Sequence, residues 1–283
     1  MNNIDLELDK LTLVKENAKK ARRLLVETVN YAGAGHIGGP LSAIDILSSL
    51  YFSEMDIDPT NPLNKYRDRF VISKGHSAIG LYCILALRGY LPVEELKTFD
   101  QLDSRLQAHP DMNLLPGLDM STGSLGQGIS SAVGMALGAK LQNDDYKVFC
   151  MIGDGETQEG QVWEAADIAS KYKLNNLVII MDYNKLQQFG WVDGEGLRIT
   201  PISNPIERWS SFGFVTYDID GHNHEELIKT LRAAKAEKEK PTIIIANTIK
   251  GKGIDFMENK YEWHSKVPTD EELFEAIKQI ENN

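Results

Sequence analysis

Two polar residues follow two apolar runs of the sequence in a pattern that suits a metal site. Asp154 follows Lys147-Val-Phe-Cys-Met-Ile-Gly153, and Asn184 follows Asn176-Leu-Val-Ile-Ile-Met-Asp-Tyr183. A carboxylate and a side-chain amide offer the oxygen donors that Mg²⁺ prefers, and the ion completes its octahedral shell with phosphate, water or a backbone carbonyl. The glycines beside Asp154 let backbone N–H groups approach an anion. We therefore expect a metal and a diphosphate to share one site.

The two apolar runs predict neighbouring strands of a parallel sheet. Each run is rich in Val and Ile and ends abruptly in polar residues, which is typical of a strand buried on both faces. Residues 159–171 place small or apolar side chains at helical spacing, so the whole segment predicts a β-α-β unit. Asp154 and Asn184 would then lie at the carboxyl ends of strands, where open sheets bind ligands. On the residues alone, an ordinary tight turn at Asp154 stays an alternative.

Other segments predict a larger α/β domain around this unit. Helices are predicted at 5–32, 41–55, 78–87, 129–142 and 270–280, and strands at 69–74, 213–220 and 242–248, the last two as buried strands. The helix at 129–142 contains Gly134 and Gly138, and each glycine costs about 1 kcal/mol relative to alanine, so we expect close packing there against a sheet or a partner helix. No repeat or linker interrupts the sequence. We predict one domain over residues 1–283.

Two motifs and the composition exclude several classes of function. Residues 33–38 match the letters of the dinucleotide fingerprint, but they follow a helix rather than a strand, so we reject nucleotide binding there. The net charge of −11, with no Lys/Arg stripe, argues against nucleic acid as a partner. No apolar run is long enough to cross a membrane, and the N-terminus has no secretory h-region. Cys83 and Cys150 lie within apolar runs and are predicted to be reduced packing residues, which fits a cytoplasmic location.

Four of the six histidines lie in loops flanked by Gly, Pro or Trp. They are His36, His76, His109 and His264. Loops held at the ends of a sheet are where ligand-contacting residues accumulate, and the glycine-rich surroundings of these four histidines favour a site over simple solvent exposure. We interpret His222 and His224 differently, as part of the capped start of a surface helix without a chemical role.

Eight motifs, taken in order, resemble those of the amino-terminal thiamine diphosphate domain of transketolases. They are Gly35-His36-Ile-Gly-Gly-Pro, Ser73-Lys-Gly-His76, Gln107-Ala-His109-Pro-Asp-Met, Ser121-Thr-Gly-Ser-Leu-Gly-Gln-Gly, Gly153-Asp-Gly-Glu-Thr-Gln-Glu-Gly, Asp182-Tyr-Asn-Lys, Lys250-Gly-Lys-Gly and Trp263-His264. Together they cover nearly the whole chain, and eight in register are far more specific than any one alone. The resemblance implies the thiamine diphosphate-binding fold, an α/β fold with a mainly parallel central sheet flanked by helices on both faces.

The resemblance also implies which residues bind the cofactors, thiamine diphosphate and Mg²⁺. The implied metal ligands are Asp154, Asn184 and the backbone carbonyl of Leu186. The implied contacts to the diphosphate are His76, Gly155 and His264, and those to the two rings of the cofactor are Gly123, Ser124 and Leu125. A structural role is the alternative for the loop residues: Gly123 could permit a turn, and Leu125 could belong to the core.

The same resemblance implies a reaction and the residues that serve it. Transketolases transfer a two-carbon ketol unit from a ketose to an aldose, here both expected to be phosphates. His36, His109 and His264 would face the donor sugar, and imidazoles suit the required proton transfers and hydrogen bonds to hydroxyls. Glu159 would join a proton network between two cofactor sites, although a glutamate at a helix N-terminus is also favoured by the helix dipole. The sequence identifies neither the donor nor the acceptor.

Two departures from the family pattern qualify this expectation. The segment Gln187-Gln-Phe-Gly-Trp191 differs from the usual sequence, and Gln188 replaces an aliphatic residue that usually lies against the cofactor. A full-length transketolase also continues for more than the length of this chain, and that part supplies the glutamate that activates the aminopyrimidine and the cationic residues that bind the sugar phosphate. We therefore expect the amino-terminal subunit of a split transketolase. A partner chain would carry the pyrimidine-binding and C-terminal domains, in an α2β2 assembly with the cofactor between chains.

Two kinds of alternative remain. One is another thiamine enzyme, such as the α subunit of a 2-oxo acid dehydrogenase or a deoxyxylulose phosphate synthase. The pairs Gly35-His36 and His109-Pro110 favour transketolase, because a decarboxylating enzyme has less use for several donors to sugar hydroxyls. The other is a non-catalytic regulatory subunit that keeps the fold. The intact metal and histidine positions argue against it.

Overall fold

The computed structural model describes residues 3–190, 192 and 202–282, and these form a five-stranded sheet. The strands are β1 (Arg69–Ile72), β2 (Val148–Gly153), β3 (Leu177–Tyr183), β4 (Val215–Asp220) and β5 (Thr242–Asn247). Their order across the sheet is β1-β2-β3-β5-β4, and all neighbours are parallel. Gly153 pairs with Asp182, so Asp154 and Asn184 follow adjacent strands at one edge. The predicted β-α-β unit is confirmed.

Eight α-helices surround this sheet in the described part of the chain. They are α1 (Asn3–Ala32), α2 (Gly38–Ser49), α3 (Ala78–Arg88), α4 (Gln127–Gln142), α5 (Gly160–Lys171), α6 (Pro205–Ser211), α7 (His224–Ala236) and α8 (Asp270–Asn282). The predicted helix at 41–55 is α2 continued by a π-helical turn, Leu50–Glu54. The other predicted helices are confirmed with their ends moved by a few residues.

The core consists of two hydrophobic layers, one on each face of the sheet. Successive strand residues point to opposite faces, so Phe149 and Met151 pack in the layer that contains α1, α2 and α3, while Cys150 and Ile152 pack in the layer that contains α4 and α5. Burying an aliphatic or aromatic side chain contributes roughly 1.5–3 kcal/mol, so both layers stabilise the sheet. The prediction of helices on both faces is confirmed.

The predictions about buried cysteines and membrane spans also meet the structure. Cys83 and Cys150 are free and fully buried, as expected. Within the described ranges, no helix has the length and apolarity needed to cross a bilayer. Trp191, which ends the divergent segment after Asn184, lies outside the described residues.

The prediction that residues 213–220 form a strand is right, but the prediction that it is buried is wrong. Strand β4 lies at the edge of the sheet with β5 as its neighbour, and only Ile219 within it is buried. An edge strand lacks a neighbour on one side, which leaves its side chains accessible. Strand β5, which lies between β3 and β4, is buried over nearly its whole length, as predicted.

The glycines of α4 differ in their surroundings. A Cβ atom added to Gly128 would lie 2.6–2.8 Å from three atoms of Ser73, so α4 approaches the end of β1 too closely for a side chain. A Cβ atom at Gly134 or Gly138 would have no described atom within 4 Å. The expected close packing therefore occurs at Gly128, whereas at Gly134 and Gly138 no described part of the chain provides it.

This difference predicts opposite effects for two substitutions on one helix. Gly128→Ala would force α4 away from Ser73 and should lower the free energy of unfolding by roughly 1–3 kcal/mol, as overpacking does. Gly134→Ala, the matched control, should raise it by about 0.5–1 kcal/mol, because alanine favours the helix and meets no obstacle. Urea unfolding of both variants measures the two values. A Gly128→Ala variant as stable as Gly134→Ala would contradict the close approach.

Candidate functional site

A cavity of about 490 Å³ lies at the carboxyl ends of β1, β2 and β3. It brings together most of the residues that the sequence singled out, namely His36, His76, Gly123, Leu125, Asp154, Gly155, Glu159, Asn184, Leu186 and His264. Ser124 and His109 do not line it, although the ring centroid of His109 is 6.2 Å from that of His36. Glu159 is exposed at the cavity edge. Residues from separate motifs along the chain thus meet at one place.

Three histidines form the inner part of this group. The ring centroids of His36, His76 and His264 are 5.1 Å apart in each pair. Burial, with His109 and Lys250 nearby, lowers the pKa of His36 to about 4. Burial also holds the pKa values of His76 and His264 well below the usual range, aided by Lys74 and Lys250 respectively. At neutral pH all three rings are therefore uncharged.

The protonation of His264 follows from its partner. Its Nδ1 lies 2.8 Å from Nζ of Lys250. A lysine ammonium group has donors and no acceptor, so Nδ1 accepts and the proton of the neutral ring is on Nε2. The Nε2–H group of His264 is thus available to donate a hydrogen bond elsewhere.

The three proposed metal ligands are held by backbone groups around Asp154. This carboxylate is 3% exposed and accepts hydrogen bonds from the backbone N–H groups of Gly155, at 2.7 Å, and Lys185. Lys185 has φ +67°, a left-handed conformation that is uncommon outside glycine and that clusters at functional sites. The amide oxygen of Asn184 accepts from the N–H of Leu186 at 3.1 Å. One tight turn therefore places Asn184 and the Leu186 carbonyl next to Asp154.

The charges around the cavity fit a metal ion together with an anion. Burial, and next the neighbouring Asp182, raises the pKa of Asp154 to about 7, so a cation there would favour the ionised carboxylate. Burial and Lys74 lower the pKa of Lys250 to about 8, so an anion there would favour its charged form. In the described part of the chain no cluster of three or more His, Cys, Asp or Glu side chains could hold a metal alone. The oxygen donors present suit Mg²⁺ that is completed by phosphate oxygens.

A buried ion pair between Lys74 and Asp182 forms the floor of the cavity, and the sequence interpretation gave neither residue a role. Lys74 is 2% exposed and Asp182 is fully buried. Asp182 also accepts hydrogen bonds from the hydroxyls of Ser42, at 2.6 Å, and Thr248. Burial opposes ionisation of Asp182, but Lys74 and these hydroxyls outweigh it and lower its pKa. Each residue ends an apolar run, as Asp154 does, so the same sequence signal could have identified them.

Glu156 is a second buried carboxylate that the sequence interpretation missed. It is 2% exposed and accepts hydrogen bonds from the Ser73 hydroxyl and from the backbone N–H groups of Gly126, at 2.8 Å, and Gly153, at 3.0 Å. It therefore ties the loop that carries Gly123 and Leu125 to the ends of β1 and β2. Nothing in a turn sequence distinguishes this glutamate from a solvated one.

The turn that carries His76 touches the same loop directly. A Cβ atom on Gly75 would lie 2.7 Å from backbone atoms of Thr122 and Gly123. No real side chain could occupy that space, so glycine is required for the two segments to meet. This contact joins the histidine turn and the Gly123 loop in one cavity wall.

The interpretation of His222 and His224 as solvated residues is wrong. Asn223 caps α7 as predicted, with its side chain accepting from Glu225 and Glu226. The two histidine side chains, however, are only 11% and 12% exposed and contact the buried carboxylate of Asp45. The start of α7 packs against α2, which removes both rings from water.

The divergent segment contributes to the cavity wall. Gln187, Gln188 and Phe189 all line the cavity. The side-chain amide of Gln188 lies 3.3 Å from the hydroxyl of Ser265, directly after His264. A polar side chain therefore occupies the wall where relatives of this sequence pattern have an aliphatic one.

Comparisons with known proteins agree with this geometry. A family model described as the transketolase thiamine diphosphate binding domain matches residues 14–281. The 6-deoxy-6-sulfo-D-fructose transketolase subunit SqwG of Clostridium sp. (strain MSTE9) is 42% identical over 95% of this chain and 96% of its own length. One of the two apulose-4-phosphate transketolase subunits similar to this chain, that of Actinobacillus succinogenes, is 40% identical over 100% of both chains.

Solved structures give the same result for the fold. The crystal structure of transketolase from Campylobacter jejuni superposes with a TM-score of 0.87 at 36% identity and covers 95% of this chain. The match covers 43% of the Campylobacter chain. This chain therefore spans less than half of that transketolase.

The neutral histidines predict how stability depends on pH. The pKa of His36 is about 4 in the folded chain, below the value of about 6.5 in an unfolded chain. The unfolded state therefore binds more protons between these values, and the stability from neutral His36 is complete above about pH 6.5 and lost as the pH falls toward 4. Allowing for partial exposure, we expect His36 to account for a loss of about 1 kcal/mol between pH 7 and pH 5.

Unfolding free energies of the chain without cofactor, measured at both pH values for the wild type and His36→Asn, test this expectation. The variant should lose about 1 kcal/mol less than the wild type on acidification. An identical pH dependence in the two proteins would contradict the assignment of a neutral, buried imidazole.

Proposed function

This chain belongs to the transketolase family of thiamine diphosphate-binding domains, and on that premise we propose that it is the amino-terminal subunit of a two-chain transketolase. The relatives that match over nearly their whole length are named as transketolase subunits. The solved transketolase from Campylobacter jejuni contains the matching region in 43% of its chain. A separate partner chain would supply the rest, in an α2β2 assembly with the cofactor between the chains.

The observation that carries the proposal is the meeting of oxygen donors and uncharged histidines in one cavity. Asp154, Asn184 and the Leu186 carbonyl would hold Mg²⁺, and His76, Gly155 and His264 would contact the diphosphate. Gly123, Ser124 and Leu125 would meet the rings of the cofactor. Leu125 is 36% exposed at the cavity, as an apolar side chain would be if it waits for a ligand or a partner to cover it.

Thiamine diphosphate, when bound, supplies the carbanion chemistry by which a bond beside a ketose carbonyl is broken and a two-carbon ketol unit is moved to an aldose. The residues of this chain would bind and orient the sugars. His36 and His264 are neutral, so each can donate one hydrogen bond to a hydroxyl or a developing alkoxide and accept a proton. His109, beside His36, would contact the far end of the donor. Glu159, exposed at the edge, would meet the partner chain.

The substrates are proposed as a ketose donor and an aldose acceptor that carry phosphate groups. One relative is named for a phosphorylated sugar and another for a sulfonated one, so both anions occur among similar subunits. The cavity wall of this chain offers Gln187, Gln188 and histidines, and its two buried lysines already contact Asp182, Leu186 and His264. Recognition of the distal anion would therefore fall mainly to the partner chain.

The two-chain proposal predicts a conditional activity. Ketol transfer from a ketose phosphate to an aldose phosphate, with thiamine diphosphate and Mg²⁺, should appear only when this chain is mixed with a chain that carries the pyrimidine-binding and C-terminal domains. A sulfonated ketose donor, assayed in parallel, distinguishes the two distal groups. Activity of this chain alone would contradict the need for a partner, and inactivity of the mixture with both donors would contradict the transketolase assignment.

The metal proposal predicts a loss of cofactor binding at Asp154. Asp154→Ala should weaken Mg²⁺-dependent binding of thiamine diphosphate by at least about 10–100-fold, the range seen when support for a metal is removed. The variant should stay folded, because burial disfavours this carboxylate, as its raised pKa indicates. Asp167→Ala, on the exposed face of α5, is the matched control and should bind normally. Calorimetric titration measures both, and unchanged affinity in a folded Asp154→Ala protein would refute the metal site.

A further inference from the structure

A second network of buried polar groups lies outside the cavity and is centred on Asp45 of α2. This carboxylate is 2% exposed. It pairs with Arg22 of α1 and contacts His222 and His224 at the start of α7. Neither the metal proposal nor the histidine cluster of the cavity uses these residues. A buried carboxylate with three nitrogen partners nevertheless needs an explanation, since burying a charge costs free energy.

The contacts of His222 fix its tautomer. Its Nε2 lies 2.8 Å from the backbone nitrogen of Ile249, and a backbone N–H group can only donate. Nε2 is therefore the acceptor and carries no proton. Its Nδ1 lies 2.7 Å from Oδ2 of Asp45, and a carboxylate can only accept, so the ring proton is on Nδ1. Asp45 thus holds His222 in the one neutral form that can accept from Ile249.

Arg22 makes a matching contact three residues further along. Besides its ion pair with Asp45, it donates from Nε to the backbone carbonyl of Lys252 at 3.2 Å. The N–H of Ile249 and the carbonyl of Lys252 bound one short segment after β5. Both ends of this segment are therefore held by side chains that Asp45 itself holds.

The middle of the segment reaches the cavity. Lys250, between the two held ends, is 1% exposed and extends its Nζ to 3.3 Å from the Leu186 carbonyl and 2.8 Å from Nδ1 of His264. The intervening backbone is also fixed, because the N–H of Gly251 donates to the carbonyl of Gly38 at 3.0 Å. A displacement of residues 249–252 would move Lys250 and, with it, its contacts to Leu186 and His264.

We propose that Asp45 and His222 are positioning residues for the cofactor cavity, which act by fixing the backbone of residues 249–252 and hence Lys250. The role of the cavity in this inference rests on the proposed function, but the hydrogen-bond chain from Asp45 through His222 to Ile249 does not. Burial opposes ionisation of Asp45, yet Arg22 and the two histidines outweigh it and hold its pKa well below the usual range. The acceptor of the His222 Nδ1–H group is therefore a full negative charge.

Two substitutions of His222 separate its two contacts. In His222→Gln the side-chain oxygen can occupy the place of Nε2 and keep an acceptor for Ile249, while the contact to Asp45 is lost. In His222→Asn the side-chain NH₂ can occupy the place of Nδ1 and keep the donor to Asp45, while the acceptor for Ile249 is lost. A residue that only packs would tolerate or resist both changes alike.

Three readouts on the folded chain test the proposal. In the wild type, nitrogen NMR of the imidazole should show the proton of His222 on Nδ1. Amide exchange of Ile249 should stay within about twofold of the wild type in His222→Gln and become at least tenfold faster in His222→Asn. Binding of thiamine diphosphate with Mg²⁺, in the complex with the partner chain, should weaken at least fivefold in His222→Asn and much less in His222→Gln.

A proton on Nε2 of wild-type His222 would overturn the proposal without any variant, as would equal exchange of Ile249 in the two variants. If His222→Asn does not fold, Asp45→Asn replaces it, and the proposal then requires loss of the Nδ1–H tautomer together with faster exchange of Ile249. A wild-type complex that binds no thiamine diphosphate would refute the proposed function, whereas the tautomer and exchange results would still decide the positioning role.

Discussion

The cavity depends on the buried carboxylate of Asp182. This group has no access to water, and an isolated charge in such a place would be very unfavourable, so its partners must stay in position. Lys74 comes from the segment after β1, Ser42 from α2 and Thr248 from the segment after β5. Removing one partner of a buried ion pair typically costs about 3–5 kcal/mol. The mutual position of these three segments and β3 is therefore fixed by one requirement, that Asp182 stay paired.

The parallel sheet explains why this requirement arises where it does. The carboxyl ends of neighbouring parallel strands lie at one edge, so the polar residues that follow apolar strands converge there. In this chain the convergence brings two carboxylates, Asp154 and Asp182, close to two buried lysines, Lys74 and Lys250. The histidines above them lose their charge because they are buried near these lysines. Neutral hydrogen-bonding rings beside a place for a metal and an anion are what a reaction of sugar hydroxyls and carbonyls needs.

Sequence patterns predicted the parts of this arrangement that depend on local chemistry. The alternation of apolar strands and helices, the position of Asp154 and Asn184 at strand ends, and the glycine-flanked loop histidines could all be identified, and the structure places them around one cavity, apart from His109 beside it. What could not be predicted depends on partners distant in the chain. Glu156 looks like any turn glutamate until Gly126 and Ser73 are folded against it. His222 looks like a surface residue until α2 brings Asp45 to it.

The most direct test of the proposed assembly is an experimental structure of this chain together with its partner chain, thiamine diphosphate and Mg²⁺. It should show the metal bound by the side-chain oxygens of Asp154 and Asn184 and by the backbone carbonyl of Leu186, with the cofactor between the two chains. A metal bound by other residues, or a cofactor bound away from the cavity at the ends of β1, β2 and β3, would contradict the assignment.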